Sequence, residues 1–216
     1  MNQKKIISIS GILAILGGIL LFTGDMLLYY NGNQTDKLLN MATVSNERII
    51  LSGVLALLST WFYLFGLLQV NNAFQPVSAS IRQIVVLLFG DIFIAYGVIH
   101  GAYMAIATTA KLGYHNHLDL MESAKLAIDI NNTIRLCVYP LFAVLSAIFI
   151  YQVWHRKTLY PRWMIFFFPL LPLLLKNIIW NNLDGKWQII IAGGYYNLIL
   201  ILFFAASTVA LWNKKL

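Results

Sequence analysis

The chain has 216 residues, of which 60% are hydrophobic and 11% are charged, and its formal net charge is +7. Soluble domains average about 45–50% apolar and about 25% charged residues, so this composition excludes a water-soluble globular protein. The basic residues flank apolar segments instead of forming one patch with interleaved aromatic residues, which argues against a nucleic-acid partner. We therefore expect membrane lipid to be the main partner of the chain.

Six apolar segments follow one another along the chain, and each is long enough to span a bilayer as a helix. They cover residues 6–30, 49–70, 83–110, 133–154, 163–181 and 188–212. The first segment follows Lys4 and Lys5 as in a signal peptide, but no small-residue cleavage site comes after Phe22, so we expect an uncleaved helix. The sequence thus predicts an all-α fold, one transmembrane domain of six helices over residues 1–216.

Charge sets the expected orientation of this bundle. If the N-terminus lies inside, lysine and arginine concentrate in the inner segments, namely Lys4, Lys5, Arg82, Arg156, Lys157, Arg162, Lys214 and Lys215. This bias predicts that both ends lie in the cytoplasm. The Ile- and Asn-rich composition suggests a bacterial chain, so the expected location is the bacterial cell membrane, as a multi-pass protein.

Four local features complete the predicted architecture. Asn116, followed by Asp119 and an apolar residue at every third or fourth position, predicts a short amphipathic helix lying on the outer membrane face. Pro169 and Pro172 predict irregularity in the fifth helix. Gly97 and Gly101 form a GxxxG pattern, which we interpret as packing within the chain. Cys137, the one cysteine, excludes an internal disulfide and is expected to be a buried thiol.

Ionisable and amide side chains from several helices converge at one depth, in the outer half of the predicted bundle. A rise of about 1.5 Å per residue places them there. Because polar groups inside a membrane are costly and usually face the bundle interior, we expect them to line one polar pocket open to the extracytoplasmic side. The expected ligand-binding residues are Asp25, Arg48, His100, Arg135, Lys176, Asn181 and Asn197.

Two further observations concern the third helix. Tyr96, His100 and Tyr103 recur at helical spacing and share one face. Asp91 points to the opposite face, because nine residues turn a helix through about two and a half turns. Asp91 therefore belongs to a different contact, formed either with Arg82 or with a neighbouring helix, and its role stays open.

Three functions fit these residues. The first is binding of a small molecule or lipid headgroup in the outer pocket. The second is a membrane-embedded enzyme acting on a lipid, a hydrolase or isomerase with Asp25 and His100 as acid–base pair. The third is a structural or accessory bundle without a ligand. The chain has no nucleotide, hydrolase or metalloprotease motif, and His115, His117 and Asp119 are spaced too unspecifically to predict a metal. We expect no cofactor and no metal, and the oligomeric state stays open.

Two resemblances add to this interpretation. The stretches Gly17–Tyr30 and Asn46–Gly53 and the region Gly97–His100 resemble an uncharacterised bacterial family of six-helix integral membrane proteins, which implies a shared membrane fold only. Gly90-Asp91-Ile92-Phe93 and His100-Gly101-Ala102-Tyr103 resemble, more weakly, lysoplasmalogenase-type membrane hydrolases, whose members have more helices than the six expected here. That second resemblance implies Asp25 and Asp91 as catalytic acids.

Overall fold

A computed structural model describes residues 3–32 and 36–212, and the predicted inner basic residues Lys214 and Lys215 lie outside the described residues. The described chain folds into helices joined by short links. Their bounds are α1 Gln3–Tyr29, α2 Lys37–Thr43, α3 Asn46–Ala73, α4 Ala79–His115, α5 Leu120–Trp154, α6 Met164–Phe167, α7 Leu170–Leu174, α8 Lys176–Asn181, α9 Gly185–Gly193 and α10 Tyr195–Trp212.

Within the described residues, five helices are long and apolar enough to cross a membrane. The predicted all-helical class is confirmed, and the length and composition of these helices support the predicted membrane protein. These candidate spans are Lys5–Tyr29, Asn46–Ala73, Ala79–His115, Leu120–Trp154 and Tyr195–Trp212. The predicted fifth helix instead forms the three short pieces α6, α7 and α8. Pro169 and Pro172 account for much of this break, because neither can donate the backbone hydrogen bond of a continuous helix.

Other local predictions differ from the structure. The link between the third and fourth predicted spans contains no separate amphipathic helix, because residues 120–132 continue directly into the fourth predicted span as α5. Asn116 caps the C-terminus of α4, whereas the N-cap of α5 is Asp119, whose carboxylate accepts a hydrogen bond from the Glu122 amide at 2.8 Å. The Cys137 side chain is exposed on α5. In a membrane span an apolar thiol can face lipid, so the burial expected in water does not apply.

Helices α1 and α3 run antiparallel and are joined by polar side chains of α3 that donate to backbone carbonyls of α1. The Ser52 hydroxyl donates to Gly24 O at 2.8 Å, and the Ser59 hydroxyl donates to Gly17 O at 2.7 Å. A Cβ atom at Gly17 would lie 3.1 Å from the Ser59 carbonyl oxygen, so glycine permits this close approach. Small residues and interhelical hydrogen bonds of this kind stabilise membrane bundles, which lack a hydrophobic driving force between helices.

The helices form a ring in the order α1, α3, α4, α5, the broken segment α6–α8, and α10, which returns to α1. Buried aromatic rings from α4, α5, α10 and the end of α6 fill its interior. The Phe149 and Phe168 centroids lie 4.3 Å apart, and those of Phe89 and Phe203 lie 5.6 Å apart. Phe142 stacks on Phe168 at 6.1 Å and also faces the cavity described below. The aromatic cluster is therefore the floor of that cavity.

The end of the bundle nearer the α5–α6 link carries a buried polar network. Ser207 donates to Gln69 Oε1 at 2.7 Å, so the Tyr160 hydroxyl, 2.7 Å from Ser207 Oγ, donates to Ser207. Gln69 Nε2 donates in turn to Thr208 Oγ1 at 3.1 Å. Polar groups are thus not confined to the end that the charge pattern places outside, and within this network the side chains satisfy one another by hydrogen bonding.

Gly66 lies where α1, α3 and α10 meet, and we expect Gly66→Ala to lower the free energy of unfolding by about 1–3 kcal/mol. A Cβ atom there would lie 2.6 Å from Phe204 Cε1 and 2.8 Å from Ala14 Cβ. Gly90→Ala is the matched control, since its Cβ would meet only Leu67 Cδ1 at 3.5 Å. Reversible unfolding in mixed micelles with increasing dodecyl sulfate measures both variants, and equal stabilities would contradict the close packing at Gly66.

Candidate functional site

A cavity of about 280 Å³ lies above the aromatic floor. Its walls come from α1, α4, α5, the broken segment, α9 and α10, with Lys37 of α2 at one side. Part of the wall is apolar, including Leu21, Val138 and Leu173. The remainder carries one carboxylate, one imidazole, three cationic side chains and several tyrosines, which the following paragraphs take in turn.

Asp25 of α1 is held by two polar side chains from other helices. Asn197 Nδ2 donates to Asp25 Oδ2 at 2.6 Å, and His100 Nδ1 lies 3.2 Å from Asp25 Oδ1. On the other side of the imidazole ring, His100 Nε2 lies 2.7 Å from Ser52 Oγ. All four residues are buried, between 0 and 8% exposed. The network connects α1, α3, α4 and α10 at one depth.

The hydrogen-bond pattern fixes the number of protons in this network. Because the Ser52 hydroxyl donates to Gly24 O, it can only accept from His100, so His100 Nε2 carries a hydrogen. A contact between His100 Nδ1 and Asp25 Oδ1 then needs one more proton between the two atoms. The pair is either an imidazolium with a carboxylate or an imidazole with a carboxylic acid. In both cases its net charge is zero.

Ser52, His100 and Asp25 stand in the order of a nucleophilic triad, but the serine is not placed for such a role. Its side chain is completely buried between α1 and α3, and it does not line the cavity. Its hydroxyl proton is directed to a backbone carbonyl of α1. Since a nucleophile must reach the bound substrate, we assign Ser52 to helix packing and to orienting His100.

Three cationic side chains line the cavity, namely Lys37, Arg135 and Lys176, and two tyrosines lie between them. We call these three side chains the cationic arc. Arg135 donates to the hydroxyls of Tyr103 at 3.5 Å and Tyr196 at 3.2 Å. Lys37 Nζ lies 4.8 Å from the centre of the Tyr103 ring, and Lys176 Nζ lies 5.0 Å from the centre of the Tyr196 ring. Aromatic faces and hydroxyls attract cations without cancelling their charge. The arc therefore keeps a net positive charge towards the cavity.

The cationic arc has no carboxylate partner in the described part of the chain. The ion pair found there joins Asp25 to His100, and no carboxylate oxygen comes within 4.0 Å of Lys37, Arg135 or Lys176. With the Asp25–His100 pair neutral, these three side chains dominate the charge of the cavity. Cations gathered at partial burial without counter-charge are arranged to receive an anion.

Lys37 enters the cavity from the first turn of α2. Its stem reaches the surface, while its Nζ lies 3.8 Å above the Tyr29 ring. Burial of the ammonium lowers the pKa of Lys37 to about 8, an effect that Asp25 opposes and that Arg135 and Lys176 reinforce. The charge of Lys37 therefore changes close to neutral pH.

Five of the seven residues expected to bind a ligand line this cavity: Asp25, His100, Arg135, Lys176 and Asn197. Arg48 does not, because its Nη2 donates to the carbonyls of Met26 at 3.1 Å and Tyr30 at 2.8 Å and so caps the end of α1. Asn181 is exposed at the end of α8. Both share the depth of the cavity residues but point elsewhere.

Sequence reasoning missed two groups of cavity residues. Lys37 falls between the first two predicted spans, and Asp36 positions it there by accepting hydrogen bonds from the amides of Leu38 and Leu39 as the N-cap of α2. Aspartate is a favoured N-cap residue, which is the signal that the sequence offered. The tyrosines Tyr29, Tyr139 and Tyr196 also line the cavity. The helical spacing of Tyr96, His100 and Tyr103 gave a signal for their shared face, and all three residues do face the cavity.

Asp91 lies outside this site. Its side chain is exposed on the far side of α4, and it does not line the cavity. The two acids that the hydrolase resemblance implies, Asp25 and Asp91, are therefore not brought together. Among the described residues, no three His, Cys, Asp or Glu side chains are grouped so that they could hold a metal ion.

Comparison with known proteins identifies a family for the whole chain. The profile of a family of unknown function, DUF6796, matches residues 1–214. The chain belongs to this family. No curated protein and no solved structure matches the chain. The expectation of an uncharacterised family is thereby confirmed, and the family itself carries no activity that could be transferred to these residues.

Proposed function

We propose that this family member is a six-span protein of the bacterial cell membrane that binds an anionic small molecule or lipid headgroup in its cavity. In this arrangement α6, α7 and α8 together make the fifth crossing, and both chain ends lie in the cytoplasm. The lysine and arginine bias of the alternate links supports the orientation. The cavity then opens towards the extracytoplasmic side.

The observation that carries the proposal is the cationic arc. Lys37, Arg135 and Lys176 line one cavity, and no carboxylate neutralises them in the described ranges 3–32 and 36–212. Charge at this depth is costly, so an arrangement that concentrates it is expected to serve a ligand. A phosphate or carboxylate group would accept hydrogen bonds from the guanidinium and both ammonium groups.

The apolar part of the wall indicates what else the ligand carries. Leu21, Val138 and Leu173 face the same space as the cations. An anionic group attached to an aliphatic or aromatic portion would satisfy both parts of the wall, whereas a small inorganic anion would leave the apolar part without a contact. This combination favours a lipid headgroup with its adjoining chains or an amphiphilic acid.

Titration calorimetry with protein in phosphatidylcholine nanodiscs tests the proposal. The probes are dihexanoyl phosphatidic acid, decanoate, inorganic phosphate and dihexanoyl phosphatidylcholine. We expect saturable binding of the two amphiphilic anions. If inorganic phosphate binds as well, the charge of the headgroup is sufficient for binding without an apolar portion. Binding of phosphatidylcholine as strong as that of the anions, or no binding of any probe, would refute anion recognition and favour the bundle without a ligand.

A matched pair of lysine variants locates this binding. Lys176→Gln is expected to weaken binding of phosphatidic acid about tenfold, because it removes one charge-assisted contact. Lys125→Gln is the control, since Lys125 is exposed on α5 outside the cavity. The same titration measures both. A loss of affinity as large in Lys125→Gln would place the anion on the surface.

Binding should also depend on pH through Lys37. The ammonium is charged below its pKa of about 8 and loses its proton as the pH rises through that value, so its attraction for an anion is present below pH 8 and absent above it. We expect affinity for decanoate to fall several-fold between pH 7 and pH 9. The variant Lys37→Met should bind decanoate more weakly at pH 7, and its affinity should not fall between pH 7 and pH 9. If the affinity of Lys37→Met falls as in the wild type, Lys37 is not the group that causes the pH dependence.

The Asp25–His100 contact supports a second candidate, a lipid-acting enzyme that uses this pair as acid and base. The two residues share one proton between His100 Nδ1 and Asp25 Oδ1, and the pair lines the cavity, as proton transfer to a bound ligand requires. Incubation of the protein with a lipid extract, followed by mass spectrometry, tests this candidate. Turnover that is lost in folded Asp25→Asn or His100→Ala would support it. If neither the wild type nor the variants turn over any lipid, the enzyme candidate is refuted and ligand binding is the function that remains.

A further inference from the structure

We propose that a second copy of this chain packs against the outward face of α4, with Asp91 of the two copies in contact. The face consists of Ile84, Leu87, Asp91, Ile94, Val98 and Gly101, here called the Asp91 stripe. The inference rests on residues outside the cavity and is independent of the proposed ligand.

Asp91 is a polar group without a partner in the membrane. It lies about 12 Å inside the apolar segment that begins near residue 83, at about 1.5 Å per residue, so its short side chain cannot reach the headgroups. Its side chain is exposed, and the described residues offer it no hydrogen bond or ion pair. A carboxyl group facing hydrocarbon alone is costly, which indicates that a partner covers it.

The spacing of the stripe indicates what kind of partner fits. Its members follow one another at intervals of three and four residues, as do the first and fourth positions of a heptad. Ile84, Leu87, Ile94 and Val98 are between 45 and 64% exposed, so no helix among the described residues covers them. A sustained heptad face is complementary to another helix at a small left-handed crossing angle.

Gly101 gives an independent indication of close approach. In the same GxxxG pattern, a Cβ at Gly97 would lie 2.6 Å from Thr60 Oγ1, so Gly97 packs within the chain as expected. At Gly101, by contrast, a Cβ would meet no atom within 4 Å. The expectation of intrachain packing thus fits one glycine of the pair only. Gly101 lines a groove between α3 and α4 together with Gly53 and Leu57, and a glycine open to such a groove allows a second backbone to come near.

A second copy satisfies these observations together. Two copies inserted with the same orientation are related by an axis along the membrane normal, so each residue of the stripe meets its counterpart at the same depth. Two carboxyl groups can then share a proton, because adjacent like charges cannot both ionise. This replaces a lone carboxylate in lipid by a hydrogen-bonded pair. A single polar residue in a heptad seam is also a known way of fixing register.

Cysteine cross-linking in native membranes tests the interface. In a Cys137→Ala background, Leu87→Cys and Ile94→Cys are oxidised with copper phenanthroline and analysed by mass spectrometry. We expect a disulfide-linked dimer of this chain from both. Val144→Cys is the control, since Val144 is 50% exposed on α5 and Ile94 is 52% exposed on the stripe. Equal cross-linking from Val144, or a disulfide to a different protein, would overturn the proposal.

Two substitutions at Asp91 test the contact itself, measured by cross-linking at Ile94→Cys. Asp91→Asn keeps a hydrogen-bonding pair and should retain the dimer, whereas Asp91→Leu should reduce it about tenfold. Leucine suits a lipid-facing position, so we expect Asp91→Leu to fold, which gel filtration in detergent checks. A dimer of unchanged abundance in Asp91→Leu would overturn the role of the carboxyl pair.

Discussion

Replacing Arg135 by alanine is expected to weaken anion binding about 100-fold, close to 3 kcal/mol, the largest effect of any single cation. Arg135 occupies the middle of the cationic arc, where its two terminal nitrogens donate to Tyr103 and Tyr196. These contacts hold the planar guanidinium in one orientation before a ligand arrives. A preorganised fork loses little entropy when it binds an anion.

Arg135→Lys separates geometry from charge. It keeps the positive charge but cannot donate to two tyrosines and an anion at once, so we expect about a tenfold loss. Arg162→Ala is the control, because Arg162 donates to the Trp154 carbonyl at 2.8 Å at the far end of α5. Calorimetry with dihexanoyl phosphatidic acid measures all three. Affinity unchanged in Arg135→Ala would place the anion elsewhere.

The sequence could predict the depth at which the cavity residues lie, but not the direction in which each side chain points. A rise of about 1.5 Å per residue assigns each polar side chain a height in the membrane, and this alone grouped Asp25, His100, Arg135, Lys176 and Asn197. Which way a side chain points depends on the neighbouring helices. Arg48 has the same height as these five residues, but it lies close to the end of α1 and bonds two of its carbonyls.

The breaks in the helices were predictable only in part. Pro169 and Pro172 indicated an irregular fifth helix, yet the sequence could not show which contacts hold the broken segment in place. Tyr195, at the start of α10, donates its hydroxyl hydrogen to the Pro172 carbonyl. That contact joins segments far apart in sequence, as tertiary contacts in broken membrane helices do. The break matters for the site, because α8 begins with Lys176.

Short and continuous helices were missed for opposite reasons. Helix α2 has seven residues, too few to show a periodic pattern, so the sequence predicts no helix at Lys37. In α5 nothing between Leu120 and Tyr139 interrupts the helix, although the change from polar to apolar composition predicts a boundary near residue 133. Composition follows the border between water and membrane, whereas a helix continues across that border when no residue stops it.

The second large effect is expected at Asp25, where Asp25→Leu should lower the free energy of unfolding by about 3–5 kcal/mol. The leucine would leave His100 Nδ1 and Asn197 Nδ2 without the oxygens that now face them, at 3.2 and 2.6 Å. Both partners are only 3% exposed, so water has little room to replace the lost contacts. Unfolding with dodecyl sulfate in mixed micelles measures the change.

Asp25→Asn should cost far less, about 1 kcal/mol. Its amide oxygen can still accept from Asn197, and its amide nitrogen can donate to the unprotonated Nδ1 of His100, whose Nε2 keeps its hydrogen bond to Ser52. This follows from the proton count of the pair, because an amide places a permanent hydrogen where the shared proton lies. Asp129→Ala, on the exposed side of α5, is the control and should change stability by less than about 0.5 kcal/mol. If Asp25→Asn is as destabilising as Asp25→Leu, the contact requires a full carboxylate, and the pair is an imidazolium with a carboxylate instead of two neutral groups.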